Sequence, residues 1–291
     1  MADVMTVFRD QSLATKFLSE EDIKQRCPVA FLTEGTNNVS DNYVVARTID
    51  VVRDLAKLGW YPVEAKQRKP QKNSSGRFNY HVIFFQNPDI KIVKTIKDSE
   101  GNSEEVVDCF PRIMLSNSMD GTCCFRFMVG IFRLVCSNGL VIASDMFANM
   151  KIRHIYYTFE DLQKLIIKAT EELPNQVGIM NTMQSTILTQ EQQLDLALKM
   201  YRIRQGKDSN DDTVLLDEDA IQDLLTPVRQ EDEGNDLWLC FNRVQERLIK
   251  GLYSTTAKPG KVRKARPVKG FIRDIAINEK FWKLARTYAV S

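Results

Sequence analysis

The sequence has little of what most catalytic and metal sites are built from. It contains two histidines and six cysteines in 291 residues, and no Cys-x-x-Cys pair. It also has no P-loop, no Gly-x-Gly-x-x-Gly fingerprint and no Gly-x-Ser-x-Gly elbow. Two histidines without clustered cysteines or carboxylates do not make a zinc site. We therefore expect no metal ion and no cofactor, and the sequence favours a protein that is not an enzyme.

Long apolar runs and a strong net charge are absent too. No window approaches the roughly 18 apolar residues of a membrane-spanning helix. The first residues, MADVMTVFRDQ, carry acids and no apolar core, which is not typical of a signal peptide. Forty basic and thirty-eight acidic residues leave a net charge of +2, so only local clusters can indicate nucleic acid. We expect a cytoplasmic protein without a membrane partner, whose cysteines are reduced and buried.

The most strand-like stretch of the chain runs from Cys109 to Ile142. Apolar and polar residues alternate on both sides of a turn at 118–121, where Asp-Gly permits a tight reversal. A second turn at 137–139 precedes another short apolar run. This pattern predicts a hairpin at the centre of an antiparallel sheet, and no catalytic motif lies in it.

The hydrophobic period changes from two to about 3.6 residues in the second half of the chain. This order predicts an α+β fold, with an N-terminal curved antiparallel β-sheet and a packed helix, followed by a mainly helical C-terminal half. We divide the chain into an N-terminal arm (1–43), a sheet core (44–157) and a helical region (158–291) that packs on the sheet.

Caps, breakers and periodicity set the predicted boundaries of the elements. Predicted helices are Ser19–Arg26, Thr48–Gly59, Thr158–Leu173, Thr189–Arg204, 217–225, 236–250 and a last one from Asn278. Predicted strands, besides the central stretch, are 60–65, 78–85, 89–95 and 150–156. Pro174 is expected to end the helix that Thr158 begins, and the acidic stretch 97–108 is expected to be a loop.

Two basic segments are the most informative polar features. The first basic segment is KQRKPQKNSSGR at 66–77, the second is KPGKVRKARPVKG at 258–270, and neither contains an acid. One interpretation is that both are solvated loops kept soluble by charge. The other is a phosphate-binding surface, because Lys and Arg side chains release counterions when they meet a polyanion. The second interpretation gains if both segments lie on one face of the molecule.

The candidate nucleic-acid contacts follow from these segments. Phosphate contacts are predicted from Lys66, Arg68, Lys69, Lys72, Arg77, Lys261, Arg263, Lys264 and Arg266. Trp60 and Tyr80 flank the first basic segment and are candidates to stack on unpaired bases. Aromatic residues at strand spacing more often belong to a core, so that alternative stays open.

Several runs of residues together resemble a known family. They are PRIML and NSMDGTCCFRFMVGIFRLVCSNGLVI in the central stretch, GWYPVEAKQRK, YHVIFF, IRHI, and LWLCFNRVQERLIKG near the C-terminus. They resemble a domain-of-unknown-function family of bacteriophages and plasmids, number 932 of that series, over roughly residues 43 to 285. The resemblance implies a phage, prophage or plasmid origin, and it brings no established activity or catalytic residue.

The predicted architecture also resembles the core of single-strand annealing proteins of the Redβ/RecT type. That resemblance implies binding of single-stranded DNA along a basic groove without metal or nucleotide, and self-association into rings or filaments. It is a likeness of fold, and fold alone does not fix function. Together with the basic segments it leads us to expect a DNA-binding protein of a mobile element, acting in annealing, recombination or replication.

Two alternatives remain open at the level of sequence. The first is a phage protein–protein module that inhibits a host defence system, in which the acidic stretches 97–108 and 231–236 would bind a host protein. The second is an enzyme, which would require Asp120, Arg126, Arg133, Asn138 and His154 to converge in one pocket. His81 and His154 lie in predicted strands, where a histidine is usually a half-buried hydrogen-bonding residue.

Overall fold

In the computed structural model an antiparallel sheet in the first half is followed by helices in the second, which confirms the predicted α+β fold. The structure describes residues 5–9, 16–33, 47–68, 80–97, 102–118, 126–133, 139–140, 158–213, 216, 218–258 and 261–289. The predicted strand 150–156 and the turn residues 119–121 and 137–138 lie outside these ranges.

The described elements are nine strands, seven α-helices and two short 3-10 helices. The strands are β1 Met5–Arg9, β2 Tyr61–Gln67, β3 His81–Gln86, β4 Ile90–Lys97, β5 Ser103–Asn117, β6 Arg126–Arg133, β7 Gly139–Leu140, β8 Ser254–Lys258 and β9 Lys261–Lys264. The α-helices are α1 Glu20–Arg26, α2 Thr48–Lys57, α3 Phe159–Ser185, α4 Gln190–Arg204, α5 Glu218–Leu225, α6 Leu237–Lys250 and α7 Phe271–Ala289. The 3-10 helices are Pro28–Phe31 and Gln230–Asp232.

Strand β5 is the axis of the main sheet. It pairs with β6 along one edge, as in the pair Ile113 and Val129, which confirms the predicted antiparallel hairpin. Along its other edge β3 and β4 lie end to end and pair with its C-terminal and N-terminal parts. Strand β2 pairs with β3 and β1 pairs with β4, and all of these pairings are antiparallel. The residues predicted as an N-terminal arm thus contribute one strand to the sheet.

The outer edge of β2 has no strand partner among the described residues. A bulge interrupts its pairing with β3 between Pro62 and Glu64. The N–H of Leu18, just before α1, donates to the carbonyl of Pro62 at 2.7 Å. A short connecting segment therefore occupies part of this edge where another strand would otherwise pair.

The two faces of the sheet bury different partners. The helix-covered face carries Ile83 and Phe85 and packs against α1, α2 and the first half of α3. The opposite face, which we call the cleft face, carries Val82, Phe84 and Met114. These three residues alternate with the first set along β3 and β5, as period two requires.

The helical half has its own core, built around three large aromatic side chains. Trp238 and Phe241 of α6 and Trp282 of α7 are no more than 1% exposed, and the two indoles meet edge to face at 6.5 Å. Burial of each of these rings contributes about 2–3 kcal/mol. Helix α3 joins the two cores, because Leu173 lies under the sheet and Met180 lies in the aromatic cluster.

The prediction that Pro174 ends a helix is wrong, because α3 continues to Ser185. A proline inside a helix costs about 3 kcal/mol, since it removes one hydrogen bond and crowds the preceding turn. Beyond it, Val177, Met180 and Met183 are almost fully buried. Each contributes about 1.5–3 kcal/mol, so packing that a local pattern does not reveal outweighs the proline.

Thr48 and the last helix also differ from prediction. Thr48 is the first residue of α2 and not its N-cap, and its Oγ1 instead lies 2.8 Å from His81 Nε2 and 3.0 Å from Asn117 Nδ2. The last helix begins at Phe271 rather than Asn278. Its first turns escaped notice because Ile275 packs on the sheet while Ile277 packs in the helical core, so no single apolar stripe forms.

Two predicted loops are partly strands. The acidic stretch 97–108 includes the start of β5, which pairs with β4 in a register that sets Glu105 opposite Thr95. The second basic segment includes β9, which pairs with β8 in a two-stranded ribbon outside the main sheet. In both cases the stretch pairs with the strand just before it in the chain, and the charged composition of each stretch does not reveal this pairing.

The end of α6 fixes the segment that connects the ribbon to α7. Gly251 follows α6 with a left-handed φ of +68°. A Cβ at this position would lie 2.7 Å from the carbonyl carbon of Arg266 and 2.8 Å from the Ala265 oxygen. Two separate features therefore require glycine at position 251: its left-handed backbone angle and the close approach of residues 265–267.

We expect Gly251→Ala to lower the free energy of unfolding by about 2–4 kcal/mol, which urea denaturation measures. The matched control is Gly206→Ala, where φ is +82° but a Cβ would meet nothing within 4 Å. It should lose only the about 1 kcal/mol that a left-handed backbone costs an L-residue. Equal losses in the two variants would contradict the close contact at Gly251.

Candidate nucleic-acid interface

The first basic segment begins on the cleft face of β2. Ala65 points into the core, so Lys66 next to it is exposed, and its ammonium lies 5.7 Å from the centre of the Phe84 ring. Lys66 also pairs with Glu64 at 2.7 Å, with 56% and 35% of the two side chains exposed. A pair this exposed contributes at most about 1 kcal/mol, so a phosphate can compete for the lysine.

Arg68 and Tyr80 close the described part of the hairpin between β2 and β3. The N–H of Arg68 donates to the carbonyl of Tyr80 at 2.9 Å. Lys69, Lys72 and Arg77 lie outside the described residues. The two residues at the base of this hairpin are therefore held in a defined place beside Lys66.

The second basic segment starts on the ribbon formed by β8 and β9. Arg263 pairs with Thr255 and Lys264 with Ser254, and both basic side chains are exposed. The N–H of Ser254 donates to the Asp223 carboxylate at 3.1 Å, which ties the ribbon to α5. Lys261 is the first residue of β9, and its side chain lies outside the described part of the structure. The ribbon thus presents basic side chains from a scaffold anchored in the helical half.

A buried arginine fixes the path from the ribbon to α7. The Arg204 guanidinium, 9% exposed, donates to the carbonyl of Leu248 at 3.1 Å and to that of Arg266 at 2.8 Å. The N–H of Val268 donates to the Ile249 carbonyl at 2.8 Å. The backbone of this connection is therefore pinned while the Arg266 side chain remains exposed.

The two basic segments meet at one cleft of about 640 Å³. Its lining residues are Lys66, Gln67, Arg68 and Tyr80 from the β2–β3 side and Val268, Gly270, Arg273 and Asp274 from the α7 side. A cleft of this size matches the pockets that hold small ligands. The first basic segment thus contributes Lys66 and Arg68 to this lining, whereas the second contributes Val268 and Gly270 and none of its Lys or Arg residues.

Asp274 is an acid placed among these cations. Burial is the main cause that raises the pKa of its carboxyl to about 6, and the nearby charge of Lys66 and the Asn278 amide oppose the shift. The Asn278 Nδ2 donates to Asp274 Oδ1 at 2.8 Å, and Gln245 donates to Asn278 Oδ1 at 2.6 Å. This buried amide chain fixes the orientation of the carboxylate.

Four exposed cations of the second basic segment are not used in ion pairs with described residues. Within the described part of the chain, no ion pair involves the exposed side chains of Arg263, Lys264, Arg266 or Lys269. Arg273 donates only weakly, at 3.4 Å, to the carbonyl of Arg204. The surface around the cleft therefore keeps positive charge that an anion can neutralise.

The two aromatic candidates have different surroundings. Trp60 is 2% exposed and packs in the core under the helix-covered face, so no base can reach its ring in this structure. Tyr80 lies partly exposed in the cleft lining. Arg273 and Asp274 were missed by the sequence reasoning, since the predicted last helix began after both.

The structure describes too few of the residues predicted for an enzyme pocket to show whether they converge. Asp120, Asn138 and His154 and the side chain of Arg133 lie outside the described residues. His81 is 1% exposed, and its ring is joined to Thr48 within the sheet core. Among the described residues no cluster of three metal-ligating side chains occurs, and no described helix is long and apolar enough to cross a membrane.

Comparisons with known proteins identify a family without an assigned activity. A family model described as Domain of unknown function (DUF932) matches residues 36–282, which confirms the first resemblance. The UPF0380 protein YfjQ of Escherichia coli K12 is 28% identical over 278 residues, covering 93% of this chain and 91% of the relative. The UPF0380 protein YafZ of the same strain is 28% identical over 276 residues, covering 92% and 90%. No solved structure matches significantly, so the resemblance to annealing proteins is not confirmed.

The raised pKa of Asp274 predicts a pH-dependent effect on stability. Because the folded-state pKa of about 6 lies above the ordinary 3.8, the stability linked to protonation is full below pH 4. It is lost as the pH rises through 6. We therefore expect Asp274→Asn to raise the free energy of unfolding, relative to wild type, by about 1–2 kcal/mol more at pH 8 than at pH 4.

Thermal or urea unfolding at the two pH values measures this difference. The control is Glu171→Gln, which changes an exposed carboxylate of α3. It should show no such gain at pH 8. A pH-independent effect of Asp274→Asn would mean that the carboxyl group is well solvated.

Proposed function

The chain belongs to the family described as domain of unknown function DUF932, and we propose that this member binds single-stranded DNA. In this proposal it is a cytoplasmic protein of a mobile element that promotes annealing in recombination or replication and needs no metal or nucleotide. The family description assigns no activity, and the support for DNA binding comes from this chain's own residues. One observation carries it, namely the cleft that Lys66 and Arg68 of the first basic segment line together with Arg273 of α7, beside the end of the second basic segment.

The charge around the cleft suits a phosphate backbone. Lys66 and Arg68 approach from one side and Arg273 from the other. Each phosphate that such side chains neutralise releases condensed counterions, which favours binding and makes it depend on salt. The contacts are to backbone groups, so binding of this kind does not depend strongly on sequence.

The size of the cleft favours a single strand over a duplex. About 640 Å³ accommodates a ligand of nucleotide size but not the width of a double helix. An unpaired strand can also turn its bases toward an aromatic side chain such as Tyr80. A duplex keeps its bases stacked and would meet only the rim.

The ribbon extends the basic surface beyond the cleft. Lys264 and Val268 are four residues apart, so they are separated by no more than about 14 Å. A strand leaving the cleft would therefore meet Arg263, Lys264 and Arg266 within a few nucleotides. Site sizes of roughly 4–16 nucleotides are usual for proteins that bind single strands in this way.

The alternative of a module that binds a host protein through its acidic stretches has less support. In the stretch 231–236, Asp232 is 0% exposed and pairs with Arg229 at 3.2 Å. The Asp236 carboxylate accepts the N–H of Leu239 at 2.9 Å and caps α6. These two acids serve the fold internally, which leaves Glu231 and Glu233 as the exposed acids of this stretch.

We expect charge reversal in either basic segment to weaken DNA binding. The variants are Lys66→Glu with Arg68→Glu, and Arg263→Glu with Lys264→Glu. Each pair should lower the affinity for a labelled mixed-sequence single strand by about tenfold or more. Each should also reduce the slope of log affinity against log salt by roughly 2. Fluorescence anisotropy between about 50 and 200 mM salt measures both quantities.

The control is Lys164→Glu with Lys168→Glu, which makes the same charge change on exposed residues of α3. This part of α3 packs on the helix-covered face, so the control should bind like wild type apart from a small effect of net charge. Unchanged binding in both test pairs, or an equal loss in the control, would rule out the cleft as the DNA site.

A further inference from the structure

We infer that the cleft is a base pocket, in which one unpaired base of a DNA strand lies against Tyr80 with its edge toward Asp274. Lys66, Arg68 and Arg273 contact the phosphates on either side of that base. The inference rests on the proposed function and adds to it the class of group that enters the cleft. It also assigns roles to Tyr80 and Asp274 that phosphate binding alone does not require.

The walls of the cleft offer what a base needs on its two faces. Tyr80 precedes β3, and its carbonyl is held by the N–H of Arg68 at 2.9 Å. Across the cleft, Val268 is fixed by its bond to Ile249, and Gly270 leaves open space where a Cβ would meet nothing within 4 Å. Aromatic and apolar faces on rigid backbone are the usual platform for an unpaired base.

Asp274 supplies a hydrogen-bond acceptor at the edge of this space. Its Oδ1 accepts from Asn278 at 2.8 Å. Its Oδ2 makes no hydrogen bond with a described residue and is not completely closed off from solvent. No ion pair joins it to Lys66, which influences it only through the electrostatic field. One oxygen is thus anchored while the other is available to a ligand.

A carboxylate that only accepts hydrogen bonds discriminates among bases. Cytosine and adenine carry an exocyclic amino group that can donate to it, whereas thymine presents carbonyl oxygens at the corresponding position. The pocket should therefore prefer cytosine to thymine while Asp274 is ionised. Below about pH 6 the protonated carboxyl can donate as well, and the preference should shrink. The other charged groups that face it from the cleft lining are Lys66, Arg68 and Arg273.

The first test compares labelled oligo(dC) and oligo(dT) of equal length, about 12 nucleotides, by anisotropy at pH 8. We expect wild type to bind the cytosine strand about tenfold more tightly. In Asp274→Asn the side-chain amide both donates and accepts, so the ratio should fall toward one. The loss of one negative charge strengthens binding to both strands equally, and the ratio is therefore independent of that effect.

The second test concerns stacking. Tyr80→Leu should lower the affinity for oligo(dC) by about tenfold, because an aliphatic side chain does not stack. Tyr80→Phe keeps the ring and removes only the hydroxyl, so it should bind oligo(dC) more tightly than Tyr80→Leu does. Thermal unfolding of both variants shows whether the loss of affinity comes from the site or from the fold. The ratio of oligo(dC) to oligo(dT) affinity in Asp274→Asn is measured with Tyr80 intact, so it tests the pocket even if the Tyr80 variants unfold.

The outcomes separate this inference from the function it rests on. Wild type that binds neither strand overturns both. Binding that charge reversal abolishes, but that shows equal affinity for the two strands and no effect of Tyr80→Leu, overturns the base pocket and leaves DNA binding intact. A cytosine preference that Asp274→Asn removes supports the pocket.

Discussion

Hydrogen bonding along both edges of one strand organises the first half of this protein. Strand β5 holds β6 on one side and β3 and β4 on the other, and β2 joins the sheet by pairing with β3. The position of every residue on β2 therefore depends on the register that Ile113 and its neighbours set. A slip of one residue would turn Lys66 into the core and Ala65 toward the cleft. The electrostatics of the cleft thus follow from a pattern of apolar residues some fifty positions further along the chain.

The other wall of the cleft depends on a different device. Arg204 binds two backbone carbonyls, and burying a guanidinium is tolerable only because such bonds replace its hydration. Through them the end of α4 controls where residues 265–270 run and where α7 begins. The cleft is therefore assembled from two independently specified halves. Strand pairing positions one half, and an arginine that donates to backbone carbonyls positions the other.

Local sequence patterns predicted helix starts and strands correctly where no tertiary packing opposes them. Capping boxes at Ser19 and Thr189 mark true helix starts, and the alternation around 113–129 gives a true hairpin. They failed where distant packing competes, as at Pro174 and at the start of α7. The basic segments were visible as composition, but the face that each side chain occupies was not. Trp60 and Tyr80 flank the same loop, and only tertiary structure distinguishes the core residue from the one that lines the cleft.

The outer edge of β2, which pairs with no strand among the described residues, has a consequence for the solubility of this surface. A free strand edge invites pairing with another molecule, and proteins discourage it with proline, bulges and charged side chains. Here Pro62, the bulge beside it and Lys66 combine all three on one strand. The same lysine therefore discourages edge pairing whether or not a ligand is present. Replacing Lys66 by an uncharged residue would therefore remove a cation from the cleft and a charge from the strand edge together, and this couples the chemistry of the site to the solubility of the chain.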